Sequence, residues 1–312
     1  MGSRQAATLH VTNGDAVVYL FKKAGIVGTH LPWRDVLHEG PIPAGASLEE
    51  LSQIRGQYLA ARGFGNPIKL LHDMAARDAT LRRAPEFAEV VLWFEHDLYD
   101  QMQLLQICAE LDAMRLEPGA VSLVQSDAYL GSMTADELVA LFPRRRTVTA
   151  ALFDAAKQAW DAVRAPAPDA LFAQAQRNHN GLPHLRAALQ RLCQEYPWAG
   201  DGLSRSQRQA LQAVAAGPAR EEELFRRAQA REEAPFLGDT AFNAVLGDLR
   251  SEPAPLVEGD DGNFELTSRG RNTLAGAEDW LAAQPLDRWI GGVHVEAERC
   301  YRWDDDAARF IP

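Results

Sequence analysis

The feature that most constrains this chain is a continuous apolar run, Val90-Val91-Leu92-Trp93-Phe94, that stops abruptly at Glu95-His96-Asp97. Consecutive apolar residues leave no face for water, so the run predicts a central strand covered on both sides, as strands of parallel sheets are. Parallel strands need crossover connections, and the flanking sequence supplies them. Leu9-His10-Val11 predicts a first strand ending in the turn Thr12-Asn13-Gly14-Asp15, after which Val17, Val18, Leu20 and Phe21 continue at helical spacing up to Gly25. Ile26 to Leu31 predicts a second strand, Leu48 to Leu81 a helical stretch broken near Gly63-Phe64-Gly65-Asn66-Pro67, and Val121 to Val124 a fourth strand. After the central strand, Leu98, Met102, Leu105, Ala109 and Ala113 recur at helical spacing. Strands alternating with helices indicate an α/β fold with a Rossmann-like, mostly parallel sheet, in which ligands sit beyond the carboxyl ends of the strands. Asn13-Gly14-Asp15, Glu95-His96-Asp97 and Asp127 fall on that edge.

The 312 residues exceed one typical domain of roughly 150. From Thr134 to Tyr196 the periodicity is helical with a break at Pro166 and Pro168, and Leu182 to Tyr196 forms an amphipathic helix closed by Pro197. A boundary is expected near Gly202. Beyond it Ser204 can cap a helix to Ala216, Arg220 to Arg231 reads as a second, and Thr240 to Leu249 as a third. Pro255 to Glu258 and Phe264 to Thr267 flank the turn Gly259-Asp260-Asp261-Gly262-Asn263, a hairpin signal. Three helices and a hairpin make a winged-helix outline, and alternating Val293 and Val295, then Tyr301 and Trp303, predict a last hairpin. The expected organisation is a ligand-binding α/β domain over 8–131, a helical connection over 132–201 and a winged-helix-like domain over 202–312.

Charge narrows the partners. The net charge of −11 opposes broad nucleic-acid binding, which depends on neutralising phosphates. Residues 201–280 hold nine arginines, no lysine and 15 acids, which favours protein contact or dimerisation over DNA, although Arg205, Arg208, Arg269 and Arg271 could gather locally. Cys108, Cys193 and Cys300 stand far apart, which disfavours a disulfide framework or a cysteine-built zinc site. Met1 to Ala7 lacks the charged-then-apolar pattern of a signal peptide, and no apolar run nears the roughly 20 residues that span a bilayer. The expected compartment is the cytoplasm, and the expected partner a small molecule; a homo-oligomer stays open.

Glu95-His96-Asp97-Leu98-Tyr99-Asp100-Gln101 is the densest set of polar groups beside a buried strand. Clustered carboxylates and an imidazole there can bind a metal or act as acid and base. Asp97 can equally cap the following helix, with Asp100 or Gln101 reaching back; both readings stand. The turn Thr12-Asn13-Gly14-Asp15 lies where phosphates meet helix N–H groups, but neither Gly-x-Gly-x-x-Gly nor Gly-x-x-x-x-Gly-Lys occurs, and Asp15 can serve as an N-cap. Pro32, Pro41 and Pro43 bracket an ordered loop carrying Trp33-Arg34-Asp35 and His38-Glu39-Gly40, groups suited to holding a ligand. The absence of His-Glu-x-x-His and Gly-x-Ser-x-Gly disfavours zinc peptidases and α/β-hydrolases.

Three segments taken together, Leu9-His10-Val11-Thr12-Asn13-Gly14-Asp15, Leu31-Pro32-Trp33-Arg34-Asp35-Val36-Leu37-His38-Glu39-Gly40-Pro41 and Trp93-Phe94-Glu95-His96-Asp97-Leu98-Tyr99-Asp100-Gln101, resemble the bacterial domain-of-unknown-function family eighteen-thirty-five. Gly202-Leu203-Ser204-Arg205-Ser206-Gln207-Arg208 and Phe236-Leu237-Gly238-Asp239 resemble the C-terminal part of its longer members. The resemblance implies that the three motifs act as one unit and assigns no reaction; Ala16 departs from its pattern, in which a hydroxyl residue follows Asn-Gly-Asp.

The leading expectation is an enzyme that binds a small polar or phosphorylated substrate at the strand ends, with metal-assisted hydrolysis or phosphoryl transfer. Glu95, His96 and Asp97 are the candidate catalytic residues, and Asp97 and Glu95 the candidate ligands of a divalent metal. Asn13, Asp15, Arg34, Asp35, His38, Glu39, Asp100 and Gln101 are the candidate substrate contacts. The rival expectation is a ligand-responsive regulator that uses the winged helix to contact DNA or another protein.

Overall fold

A computed structural model describes residues 7–259 and 263–311. Its centre is a five-stranded sheet in the order β2 (Thr29–Pro32), β1 (Thr8–Thr12), β4 (Glu89–Phe94), β5 (Val121–Gln125) and β6 (Arg146–Thr147). β2, β1, β4 and β5 run parallel, and β6 closes one edge antiparallel. The apolar run of β4 occupies the middle, paired with β1 on one side and β5 on the other, and Val90 to Phe94 are buried. The chain leaves β1 for β2 on one side and later returns to β4 on the other. The ends of β1 and β4 therefore bound the crevice where open α/β sheets take ligands.

Helices cover both faces. On one side α1 (Asp15–Ala24) packs with α5 (Ala135–Leu141), and Val17, Phe21, Val91, Trp93 and Val124 share a core. On the other lies the larger core, into which α4 (Leu98–Ala113) is driven so deeply that Leu98 to Cys108 are nearly all buried. Each large apolar side chain so buried contributes roughly 1.5–3 kcal/mol. α6 (Ala150–Val163), α7 (Asp169–Ala175) and α8 (Leu185–Cys193) complete this layer. α2 (Leu48–Ala61) and α3 (Pro67–Arg82) form a helical hairpin beside the sheet; the break between them follows from Asn66, which caps α3, and Pro67, which cannot continue a helix but can start one.

The C-terminal part contains α9 (Arg205–Ala215), α10 (Glu221–Gln229), α11 (Asp239–Leu249), a small antiparallel pair of β7 (Val257–Glu258) with β8 (Glu265–Leu266), and α12 (Ser268–Leu274). These enclose a separate core of Leu203, Leu211, Leu224, Phe242, Leu246, Leu256, Phe264 and Trp280. β7 and β8 thus make only a two-stranded antiparallel pair; the turn expected at 259–263 lies in part outside the described residues. From Asp287 the chain returns to the first body: β9 (Asp287–Gly291) pairs with β3 (Gly40–Pro41) and with β10 (Val293–Glu296), while β11 (Arg302–Asp304) and β12 (Arg309–Ile311) make the last hairpin. Ile290, Val293, Val295 and Trp303 join the larger core. Among the described residues no helix is long and apolar enough to cross a membrane.

Candidate functional site

Each strand end delivers one piece of a buried polar cluster. β1 hands over to Asn13, β4 to Glu95, and the residues after β5 to Tyr129 and Leu130. Asp97 is the N-cap of α4 and accepts from the Asp100 amide at 3.0 Å, so the capping reading of Asp97 holds. The same cap aims Asp100, one turn on, back at the sheet rather than at the Asp97 amide. Asp100 Oδ1 accepts from the Glu95 amide at 2.7 Å and Oδ2 from Asn13 Nδ2 at 2.8 Å. Glu95 Oε1 accepts from the Leu130 amide at 2.7 Å and from Asn13 at 3.4 Å. Tyr99 donates its hydroxyl to the Asn13 carbonyl at 3.2 Å. Capping and membership of the carboxylate cluster are therefore one arrangement, not alternatives.

Glu95, Asp97 and Asp100 are all buried, and one carboxylate oxygen from each lies within 4.8 Å of the others. Burial and mutual repulsion disfavour their charged forms. Burial, then the Asp97 charge, pushes Glu95 up to about 7; burial pushes Asp97 up to about 6; burial, then Asp97 and Glu95, holds Asp100 well above the carboxylate range. The donor set suits a hard divalent cation. Oxygen ligands at roughly 2.0–2.6 Å from Mg²⁺ or Ca²⁺ stand at most about 4–5 Å from one another, and a cation there would answer the like-charge crowding that the fold otherwise leaves.

The cluster opens into a cavity of about 560 Å³, within the usual span of small-molecule sites. Asp15 and Arg34 stand at it as a partly exposed bidentate pair, both contacts at 2.6 Å. The Arg34 hydrogen bonds hold the Asp15 carboxyl below its ordinary value. Asp15 is the first residue of α1, not its cap; Gly14 occupies that position with no side-chain cap. His38 also lines the cavity, buried, edge-on to Phe236 at 4.8 Å, with no hydrogen-bond partner at either ring nitrogen among the described residues. Burial lowers its pKa to about 3, so the ring is neutral.

Other expected contacts point elsewhere. Asp35 is fully buried and pairs with Arg55 at 3.0 Å and Arg77 at 3.7 Å. Arg55 also donates to the carbonyls of Glu39 and Val36, which pins the proline-bracketed loop to α2. Gly40 permits this close approach: at φ +78 a Cβ would lie 2.3 Å from the Tyr58 ring and 2.6 Å from Arg55. Glu39 faces Arg62 at 3.8 Å, and Gln101 donates to the Glu95 carbonyl at 2.6 Å. None of these lines the cavity. His96 turns to the opposite side of Asp97, its ring 5.0 Å from Tyr129 and 6.0 Å from His184, and borders a second cavity of about 240 Å³ with Arg191, Arg205 and Glu232. Asp127 is largely exposed beside His184.

The cavity also uses side chains that were not among the expected contacts. Val36, Leu59, Phe64 and Leu70 form its apolar wall, and a strap of residues 235–241 from the C-terminal part forms the rest. The strap is held by Tyr129, whose hydroxyl donates to the Pro235 carbonyl at 2.9 Å, and by Gln229, which donates to Leu237 O at 3.1 Å. Val36 lies in the proline-bracketed motif, Phe64 at the helical break of residues 63–67 and the strap in the Phe236-Leu237-Gly238-Asp239 segment, but none of these signals marked an apolar ligand wall. No protein-family model and no curated protein matches this chain.

Proposed function

We propose that the chain is a metal-dependent enzyme that hydrolyses, or transfers the phosphoryl group of, a small substrate at the carboxyl ends of β1 and β4. The observation that carries this reading is the convergence of three buried carboxylates, from the β4 terminus and the first turn of α4, on a cavity at the sheet's reversal point. Glu95, Asp97 and Asp100 would hold a divalent cation, and Asn13 orients Asp100 by its 2.8 Å hydrogen bond. Such a cation, when bound, polarises an oxyanion and lowers the pKa of water. Arg34, kept charged by Asp15, faces the cavity where an anionic group would enter. His38 offers an uncharged imidazole. The likeness of the three motifs to family eighteen-thirty-five and a cytoplasmic setting belong to the same proposal.

Turnover of 4-nitrophenyl phosphate with Mg²⁺ or Mn²⁺ tests it. Metal-dependent hydrolysis should fall by about 100-fold or more in Asp97→Asn and Glu95→Gln, the scale expected of removing a group that acts on the reacting centre. Equal turnover in folded wild type and variants would discard the assignment.

A ligand-responsive regulator is the second reading, favoured by one observation: the strap that lines the cavity runs directly into α11. On this reading α9, α10, α11 and the β7–β8 hairpin act as a winged helix that contacts protein or, through local arginines, DNA. Binding to duplex DNA that weakens steeply with salt would support its DNA form; no binding at low salt would leave protein contact.

A further inference from the structure

We infer that the small molecule taken by this cavity is an amphiphile, with an oxyanionic head at the carboxylates and a compact, ring-sized apolar tail against the α2–α3 hairpin. The head rests on the metal-assisted reading above; the tail rests on the cavity wall alone.

The cavity has two unlike sides. Asn13, Glu95, Asp97 and Asp100 line it from the sheet edge, and Val36, Leu59, Phe64 and Leu70 line it from the loop after β2 and the α2–α3 hairpin. That apolar side is not the margin of the main core. Val36, Leu59 and Met74 form a small cluster of their own, on which Phe64, Leu70 and Tyr99 pack. Leu59 and Met74 are almost wholly buried, while Phe64 and Leu70 stay half-buried at the end of α2 and the start of α3, where they border the cavity. Phe236 and Leu237 of the strap extend the same apolar lining. Inorganic phosphate or a bare sugar phosphate would leave this surface against water. An aryl or branched alkyl group would remove it, and such removal is favourable in proportion to the area covered. His38 adds no charge to the lining, because burial keeps its ring neutral.

Ligand-observed NMR with three probes separates head from tail: phenyl phosphate and inorganic phosphate with Mg²⁺, and benzyl alcohol without metal. Wild type should bind phenyl phosphate roughly 10- to 100-fold tighter than inorganic phosphate, as covering one ring implies. In Phe64→Ala and in Leu70→Ala, both at half-buried positions and each checked for folding by thermal melt, that advantage should shrink to about threefold or less. Benzyl alcohol should compete with phenyl phosphate and weaken in the same variants. If neither phosphate binds while benzyl alcohol still binds in a Leu70-dependent way, the tail assignment holds and the metal-assisted reading fails. Equal binding of the two phosphates to wild type, an advantage untouched by both substitutions, or no binding of benzyl alcohol would overturn the inference.

Discussion

Asp97 shows how one side chain serves two ends. As N-cap it satisfies an orphan amide of α4, and its charge joins Glu95 and Asp100 in a buried cluster. Asp97→Asn should keep the cap and remove the charge, whereas Asp97→Ala should also forfeit about 1 kcal/mol of capping. The pH dependence follows from the same groups. Glu95 and Asp97 have folded pKa values of about 7 and about 6, raised above their unfolded values, so the folded chain holds more protons and loses stability as pH rises from about 4 through 7. His38, lowered to about 3, and His10, lowered to about 4, act oppositely: their contribution is complete above about 6.5 and is lost as pH falls toward 3. Metal-free thermal melts should therefore peak in the mildly acidic range. Asp97→Asn should flatten the alkaline limb, and His38→Phe the acid limb. A wild-type melting temperature that keeps rising between pH 6 and 9 would contradict the carboxylate cluster.

At the scale of elements, much of the candidate site was legible because strands and caps leave strong local signatures. The unbroken run of β4 has no polar face, and Glu95 to Gln101 follow it directly; that placed Glu95, Asp97 and Asp100 at a strand end. Asp35 and Glu39 were misplaced for a reason equally physical. An acid in a polar loop reads as exposed, and only the fold reveals Arg55 on α2, which turns Asp35 into a fully buried ion pair. Removing one partner of such a pair leaves an uncompensated buried charge, so Arg55→Ala should cost roughly 3–5 kcal/mol in chemical denaturation. Asp35→Asn should also destabilise, yet leave metal affinity unchanged. A loss of metal affinity in folded Asp35→Asn would return that residue to the site. The Phe236-to-Asp239 segment stood out locally, but its role as a strap did not, because that role depends on Tyr129, more than 100 positions away, reaching Pro235.

Over the whole molecule, the N-terminal sheet and the C-terminal helices are tied together at several levels. Arg62, the C-cap of α2, holds Asp248 of α11 through paired hydrogen bonds of 2.7 and 2.9 Å. Arg191 of α8 joins Glu195 and Glu232, with Arg288 of β9 completing the network on Glu195. Because β9 pairs with β3 and sends Ile290 into the main core, residues 287–311 belong energetically to the first body. The alternating Val293 and Val295 announced a strand, but pattern alone did not say which sheet it would join. A chain ending at Leu286 should expose Trp303's and Ile290's partners in that core and lose cooperative folding; a sharp melt near the full chain's would contradict this division.

All three scales meet in the claim that Glu95, Asp97 and Asp100 form a cation site at the end of β4. Calorimetric titration of Mn²⁺ into the full chain at pH 8, beside Asp97→Asn, tests it most directly. The account predicts one ion per chain and an affinity at least about tenfold lower in the variant, as the loss of one charged ligand implies. Absence of binding, or equal affinity in the two proteins, would contradict it.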